Sequence, residues 1–144
     1  MLRLATPPDL SDIEALLRGA RLPSSGVAEH LDTFVVFESG GSIAGVGGIE
    51  ICGSDALLRS LAVAPALQGR GIAASICDHL EAMAASRGVE QLYLLTETAE
   101  RYFMKRGYAV AARSEAPSAI ASTEEFTMLC PQSAVMLRRS AQAR

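Results

Sequence analysis

Hydrophobic and polar positions alternate along the chain in a way that predicts short strands and amphipathic helices. Residues 2–5 fit a short strand. Thr6 and Asp9 then resemble the start of a helix, with a hydroxyl at the cap, proline in the first turn and an acid three positions on. An apolar stripe at helical spacing continues to about residue 20, and a second short helix is predicted near Val27–Leu31.

The middle of the chain predicts strands on either side of one long helix. In "TFVVFESGGSIAGVGGIEIC" two apolar runs flank Ser39-Gly40-Gly41, which is the turn chemistry of a β-hairpin. Residues 56–63 predict a further strand. The helix after it is expected to end at Gly88. Residues 91–96, "QLYLLT", are nearly all apolar and predict a central strand that is buried on both faces.

The last part of the chain predicts alternating short elements. Residues 98–106 fit a helix that Gly107 stops, and "YAVAA" fits a strand. "PSAIASTEEFTMLCP" predicts a helical connection to a final strand, "SAVMLRR". The order favours an α/β (α+β) fold with a mixed, mostly antiparallel central sheet of about seven strands flanked by helices. Because the chain has 144 residues, we expect it to form one domain over residues 1–144.

Composition narrows the function classes. The chain is 49% hydrophobic and 20% charged, as in ordinary globular proteins, and its net charge of −3 argues against a nucleic-acid partner. No stretch approaches the ~20 apolar residues of a membrane span, and the first residues do not fit a signal peptide. The cysteines Cys52, Cys77 and Cys130 lie far apart at no metal-ligand spacing. They predict unpaired, mostly buried thiols in a cytoplasmic protein without a metal.

The segment "LAVAPALQGRGIAAS", residues 61–75, allows three interpretations. Gly69, Gly71 and Ala74 fit a dinucleotide-binding loop, but the residues from Ala64 to Gln68 make the turn too long, and only one clean βαβ unit is apparent. A second interpretation is a loop whose backbone N–H groups hold the pyrophosphate of acyl-coenzyme A at a helix N-terminus. The third is a tight turn with a helix-capping glycine.

Motifs in this region resemble the GNAT superfamily of acetyl-CoA-dependent N-acyltransferases. Gln68–Ala73 matches its Q/R-x-x-G-x-G/A motif, Leu61–Pro65 its usual strand ending, and Thr98–Tyr108 its helix-to-strand signature. A narrower resemblance is to the arsenic-resistance N-acetyltransferase-like branch, carried by "DALLRSLAVAP", "LYLLTETAERYF", "PSAI" and "LCPQSAVMLRR". This branch implies a small-molecule substrate.

The GNAT resemblance implies where acetyl-CoA binds. The strands at 56–63 and 91–96 would splay apart, and the pantetheine would pair with the first of them. A backbone N–H near Leu61 would polarise the thioester carbonyl. The resemblance assigns the cofactor to Leu61, Ala62, Val63, Gln68, Gly69, Arg70, Gly71, Ile72 and Ala73.

The acceptor residues follow from the same resemblance. Arg59, placed on the same strand face as Leu61, would hold an anionic group of the acceptor, because guanidinium binds carboxylates bidentately. Glu50 would bind the ammonium or accept its proton through water. Thr96 would contact the acceptor or the thiol. In the family, a tyrosine usually acts as the general acid that protonates the departing thiolate. Phe103 occupies that position here, so Tyr102, one residue earlier, is the candidate acid.

These observations predict an enzyme that acetylates the amine of a small, amino-acid-like anionic substrate. An amino acid analogue that contains arsenic or phosphorus would also meet this description. Direct attack in a ternary complex is expected. The alternatives are a non-catalytic acyl-CoA-binding module and a peptide N-terminal acetyltransferase. The resemblance also implies a homodimer.

Overall fold

The computed structural model describes residues 1–142 of the chain. The strands are β1 (Leu2–Leu4), β2 (Phe34–Ser39), β3 (Ser42–Cys52), β4 (Asp55–Val63), β5 (Gln91–Thr96), β6 (Ala109–Ala111) and β7 (Val135–Ser140). The α-helices are α1 (Leu10–Gly19), α2 (Ile72–Ser86), α3 (Glu100–Lys105) and α4 (Ser118–Ala121). Short 3-10 turns span Pro7–Asp9, Ala28–Thr33, Pro65–Leu67 and Arg113–Glu115, and a π-helical turn spans Glu125–Leu129.

The described strands join in the order β1-β2-β3-β4-β5-β7-β6. Pairing is antiparallel for β1 with β2, β2 with β3, β5 with β7 and β6 with β7. The pairing of β4 with β5 is parallel and joins Asp55–Leu57 to Gln91–Tyr93. The prediction of a mixed, mostly antiparallel sheet of about seven strands is therefore confirmed. A doubly wound parallel sheet is not formed, which removes the dinucleotide interpretation of the glycine loop.

Contacts among the described residues form two compact units. The first comprises Met1–Glu50 and Leu58–Met83, and the second comprises Ile51–Leu57 and the chain from Ala84 onward. The single domain over residues 1–144 stays a prediction, as does the splaying of the strands at 56–63 and 91–96.

The first unit buries its sheet against α1 on one face and α2 on the other. One face gathers Ile13 and Leu17 of α1 with sheet residues such as Phe34 and Ala62, all buried. On the other face, a Cβ built at Gly47 would lie 2.6 Å from Cγ2 of Ile76 on α2. Glycine at this position lets α2 approach the backbone of β3 closely, which explains an apolar strand rich in glycine.

The second unit has its own hydrophobic cluster. Leu57, Tyr93, Ile120, Phe126 and Met136 are buried together. The predicted burial of the strand at 91–96 holds for its central residues, since the exposed fraction is 4% or less from Leu92 to Leu94.

Element boundaries follow the turn residues. Gly40 and Gly41 have φ of +59° and +80° between β2 and β3, as the hairpin prediction requires. Thr6 and Asp9 form the predicted capping box. The predicted helix over 98–106 is shorter in the structure, at Glu100–Lys105. The predicted helical connection consists of α4 and the separate π-helical turn.

Among residues 1–142, no helix is both long and apolar enough to cross a membrane. In the same residues, no group of three or more His, Cys, Asp or Glu side chains has an arrangement that would hold a metal ion.

Candidate active site

The loop between β4 and α2 is open to solvent and contains two left-handed glycines. Gly69 and Gly71 both have φ of +81°, a conformation that other residues rarely adopt, and a Cβ at either position would meet nothing within 4 Å. Their glycine identity is therefore required by backbone conformation. The side chain of Gln68 turns back toward β4, because its Nε2 donates a hydrogen bond to the carbonyl of Val63 over 3.2 Å.

The loop leads directly into the N-terminus of α2. The helix begins at Ile72 and has no acidic residue in its first turn. Gly71 supplies the carbonyl for the first bond, which the N–H of Ser75 donates over 3.0 Å. The N–H groups that precede this bond have no acceptor inside the helix, and with the helix dipole they favour an anion. Arg70, exposed in the loop, adds a positive charge.

A buried ion pair lies in the same unit. Nη1 of Arg59 is 2.6 Å from Oε2 of Glu50, and the two side chains are 0% and 8% exposed. Arg59 also donates from Nη2 to the carbonyl of Ser25 over 2.6 Å and from Nε to the hydroxyl of Ser60 over 2.9 Å. The guanidinium thus ties β4 to β3 and to the segment that follows α1.

Ser60 interrupts the regular backbone conformation of β4. It is one of two residues other than glycine with positive φ among residues 1–142, at +61°. Beyond it, Leu61 approaches Gly47 on the α2 face, and Ala62 joins the cluster on the α1 face. Arg59 reaches Glu50 and Ser25, whereas Leu61 faces α2.

The prediction that Arg59 and Leu61 share a strand face is therefore wrong. Strict alternation would give residues 59 and 61 one face, but the irregular backbone at Ser60 shifts the alternation by one residue. Such an irregularity also takes backbone groups out of the regular ladder.

The other predicted cofactor residues lie along this path. Leu61 and Val63 are half-buried, Ala62 is buried, and Ile72 packs into the core at the start of α2. Ala73, next in the helix, is half-buried. Together with Gln68–Gly71 they form one continuous stretch from the end of β4 into α2.

Thr96 and Tyr102 belong to the second unit. The hydroxyl oxygen of Thr96 accepts the backbone N–H groups of Thr98 and Ala99 over 3.3 and 3.0 Å, and so orders the approach to α3. Tyr102 is half-buried in α3, with its ring edge-on to Phe103 at 5.2 Å. Phe103 is buried against Tyr108. Contact of Thr96 or Tyr102 with substrate stays a prediction.

No disulfide bond joins Cys52, Cys77 or Cys130 among the described residues 1–142. Cys77 is buried in α2, and Cys52 packs beside the cluster of the second unit. The thiol of Cys130 lies 3.1 Å from Oε2 of Glu125. The prediction of mostly buried thiols therefore holds for Cys77, whereas Cys52 and Cys130 are half-buried.

Two functional candidates were missed in the sequence. His30 places Nε2 3.5 Å from Oε1 of Glu50, and Ser25 supplies the carbonyl that binds Arg59. Both lie in a segment whose composition predicts only a break and a short helix. A histidine near that break is only a weak indication of a functional site, because its partner Glu50 is distant in the sequence.

The geometry of the loop agrees with one known family. The sequence profile described as "Acetyltransferase (GNAT) domain" matches residues 30–110. The chain belongs to this family. The matched range contains the glycine loop, Arg59 and Glu50, so the superfamily resemblance inferred from Gln68–Ala73 is confirmed. The narrower resemblance to the arsenic-resistance branch stays a prediction.

Relatives of this GNAT domain include longer proteins. An amino-acid acetyltransferase from Ralstonia nicotianae is 30% identical over 125 residues, covering 81% of this chain and 28% of the relative. N-acetylglutamate synthase from Neisseria gonorrhoeae, solved with coenzyme A and N-acetyl-glutamate, superposes with a TM-score of 0.87 at 21% identity. That match covers 99% of this chain and 35% of the synthase. The chain thus spans only part of these two proteins.

A third similar protein is close to this chain in length. Rv2747 from Mycobacterium tuberculosis, solved in complex with CoA and NLQ, has a TM-score of 0.83 at 20% identity. The match covers 97% of this chain and 98% of that protein. At these identities the two structural matches show the fold.

Proposed function

We propose that this GNAT domain transfers an acetyl group from acetyl-CoA to the amine of a small, amino-acid-like anionic substrate by direct attack in a ternary complex. The observation that carries the proposal is the exposed loop with two left-handed glycines at the start of α2. The coenzyme A in both similar structures and the amino-acid acetyltransferase among the relatives support it.

The loop suits the pyrophosphate of coenzyme A. Its exposed backbone, the N-terminus of α2 and Arg70 together offer N–H donors and positive charge, and no carboxylate lies in the first helical turn to repel an anion. The proposed cofactor residues are Leu61 to Val63 for the pantetheine and Gln68 to Ala73 for the pyrophosphate. No metal is required, because the thioester is already activated.

The pair formed by Arg59 and Glu50 suits a zwitterionic acceptor. Opposite charges 2.6 Å apart match an amino acid, whose ammonium and carboxylate are also neighbours. In the proposal, Glu50 receives the amine and Arg59 attracts the carboxylate. Because both side chains are buried, acceptor binding has to open part of their cover, which includes the bond from Arg59 to the Ser25 carbonyl.

The chain contributes to the chemistry in three ways. Acetyl-CoA supplies the acetyl group as a thioester. The backbone N–H near Leu61 donates to the thioester carbonyl, a contribution of ~3 kcal/mol for one donor. Glu50 takes the proton that the acceptor ammonium must lose, and alignment of amine and thioester supplies much of the remaining acceleration. Tyr102 remains the candidate acid for the thiolate, and Thr96 a candidate contact.

The finer substrate is part of the proposal too. The resemblance to the arsenic-resistance branch favours an amino acid analogue carrying arsenic or phosphorus, whose anionic group Arg59 would hold. We further propose a cytoplasmic location, because cysteines outside disulfide bonds suit a reducing compartment, and we propose a homodimer.

The test is an acceptor panel. Purified protein is mixed with acetyl-CoA and, separately, with each L-amino acid, with phosphinic and arsinic amino acid analogues, and with a peptide bearing a free N-terminus. Released thiol and the mass of the product are measured. We expect amino acids or their analogues to be acetylated faster than the peptide. Faster peptide turnover would favour a peptide N-terminal acetyltransferase, and tight CoA binding without any product would favour a non-catalytic module.

A further inference from the structure

One titratable side chain beside Glu50 has no role in the proposed function. His30 lies in the 3-10 stretch Ala28–Thr33, and its Nε2 is 3.5 Å from Oε1 of Glu50. The imidazole is 40% exposed, whereas the Glu50 side chain is 8% exposed. His30 therefore connects a buried carboxylate with solvent.

We propose that His30 carries the acceptor's proton from Glu50 to solvent, an inference that rests on the proposed function. Acetyl transfer from a thioester to an ammonium forms one C–N bond and breaks one C–S bond, and it yields an amide, a thiol and one released proton. Glu50 takes up that proton, and His30 passes it on. His30 does not touch the acceptor, so it is a positioning residue that acts through Glu50.

The surroundings of Glu50 explain why a second group is needed. Its Oε2 is bound by Arg59, and its Oε1 faces His30. Glu50 is 6% exposed, so bulk water reaches the carboxyl poorly. Arg59 of β4 is a charged group in direct contact with Glu50 of β3. Each turnover must return Glu50 to its ionised form, and the half-exposed imidazole beside Oε1 gives the proton a path toward solvent.

The backbone holds His30 beside the strand that carries Glu50. The hydroxyl of Thr33 is 3.0 Å from the carbonyl oxygen of His30 and 2.5 Å from that of Ile49, the residue before Glu50. Thr33 is itself buried. At 3.5 Å, a small rotation of the imidazole brings Nε2 to hydrogen-bonding distance from Oε1.

The first test measures kcat/KM against pH for His30→Gln with the best acceptor of the panel. We expect a loss of roughly tenfold near pH 7, the lower end of general acid–base effects, that shrinks toward pH 9.5 because more of the amine is already neutral there. Added imidazole should partly restore His30→Ala. The control is His79→Gln, because His79 is exposed on α2 and outside this cluster. An unchanged profile, or an equal loss at every pH without rescue, would overturn the proposal.

The second test needs no turnover. The imidazole ring signals of ligand-free protein are recorded by NMR at one pH, in the wild type and in Glu50→Gln. Because Nε2 of His30 lies 3.5 Å from Oε1 of Glu50, loss of the carboxylate should move the ring signals of His30 and leave those of His79 in place. Unchanged His30 signals would overturn the coupling.

The two hypotheses fail in different ways. If the wild type acetylates no amine of the panel, the proposed function fails and the proton route fails with it. If the wild type is active and the His30→Gln profile matches it, only the role of His30 is overturned.

Discussion

Two regions of the first unit take opposite physical routes to a binding site. The loop from Ala64 to Gly71 uses backbone groups in open solvent, and its special residues are glycines. The cluster of Glu50, Arg59 and His30 uses side-chain charges, two of them buried and in direct contact. The loop can therefore be altered without disturbing the core, whereas each buried charge of the cluster also supports the fold.

In the proposed function, this difference separates the cofactor site from the acceptor site. A backbone site for phosphate suits the part of coenzyme A that never changes during the reaction. A side-chain site with paired charges suits the acceptor, whose charge changes as it reacts. Loop variants that keep both glycines should thus alter acetyl-CoA binding alone, and variants of the cluster should alter both stability and acceptor binding.

The largest expected effect comes from breaking the buried pair. Arg59→Met leaves the Glu50 carboxylate without its main cation, which should lower the free energy of unfolding by about 3–5 kcal/mol in urea titrations. The double variant Arg59→Met/Glu50→Gln should recover part of that loss. Arg70→Met, which removes an exposed arginine from the loop, should change stability by less than about 0.5 kcal/mol. Equal effects for Arg59→Met and Arg70→Met would erase the contrast between the regions.

Next in size is a loop variant with a matched control. Gly71→Ala places a side chain at φ +81°, and Gly40→Ala does the same at φ +59° in the β2–β3 turn. Each should lose about 1 kcal/mol of stability through backbone strain. Only Gly71→Ala should raise KM for acetyl-CoA, by roughly tenfold, since it alone alters the phosphate loop. A similar rise in Gly40→Ala would assign the effect to general destabilisation.

A second ion pair in the same unit, Arg3 with Asp9, is more exposed than the Arg59–Glu50 pair and should contribute less to stability. Asp9 accepts hydrogen bonds from Arg3 and Thr6, and the Arg3 guanidinium is the main reason that the pKa of Asp9 lies well below its usual range. Because the pKa of Asp9 is lower in the folded state than in the unfolded state, its ionisation stabilises the fold at pH values above the unfolded-state pKa. This stabilisation is lost as the pH falls toward the folded-state pKa.

The free energy of unfolding, measured by urea titration at a series of pH values, should therefore show the contribution of the Arg3–Asp9 pair. Between pH 5 and pH 2 the wild type should lose about 1 kcal/mol more than Asp9→Asn does, because ion pairs that are partly open to solvent contribute modestly. Asp12→Asn, on the exposed side of α1, is the control. Parallel curves for wild type and Asp9→Asn would show that the pair adds no pH-dependent stability.

The smallest effect is expected at Arg70. Arg70→Gln removes an exposed charge from the proposed pyrophosphate loop and should raise KM for acetyl-CoA by about threefold at low salt. The difference should fade as the salt concentration rises. Arg87→Gln, exposed just beyond the other end of α2, should leave KM unchanged. A salt-independent change at Arg70 would point to a specific contact rather than to screened attraction.

The two regions also differ in how far the sequence reveals them. The conformation of the glycine loop could be predicted because its requirements are local: Gly69 and Gly71 supply conformations that other residues avoid, and α2 follows at once. The hairpin at Gly40 and Gly41 and the cap at Thr6 could be predicted for the same reason. Each is decided by residues adjacent in the chain.

The acceptor cluster could be predicted only in part. Arg59 and Glu50 stand out as charges in apolar strands, but their mutual contact depends on how β3 and β4 pair. Ser60 is not a glycine, so the sequence does not indicate its positive φ. For this reason the prediction that Leu61 lies on the same strand face as Arg59 is wrong. His30 meets Glu50 only through the packing of an irregular segment, which periodicity does not describe.

The most direct test of acetyl transfer in a ternary complex is an initial-rate grid in which acetyl-CoA and the best amino acid acceptor are varied together. Direct attack requires both substrates to be bound at once, so double-reciprocal plots should give lines that intersect. Parallel lines would indicate a covalent acetyl-enzyme formed before the acceptor binds, and would contradict the mechanism proposed for Glu50 and the loop.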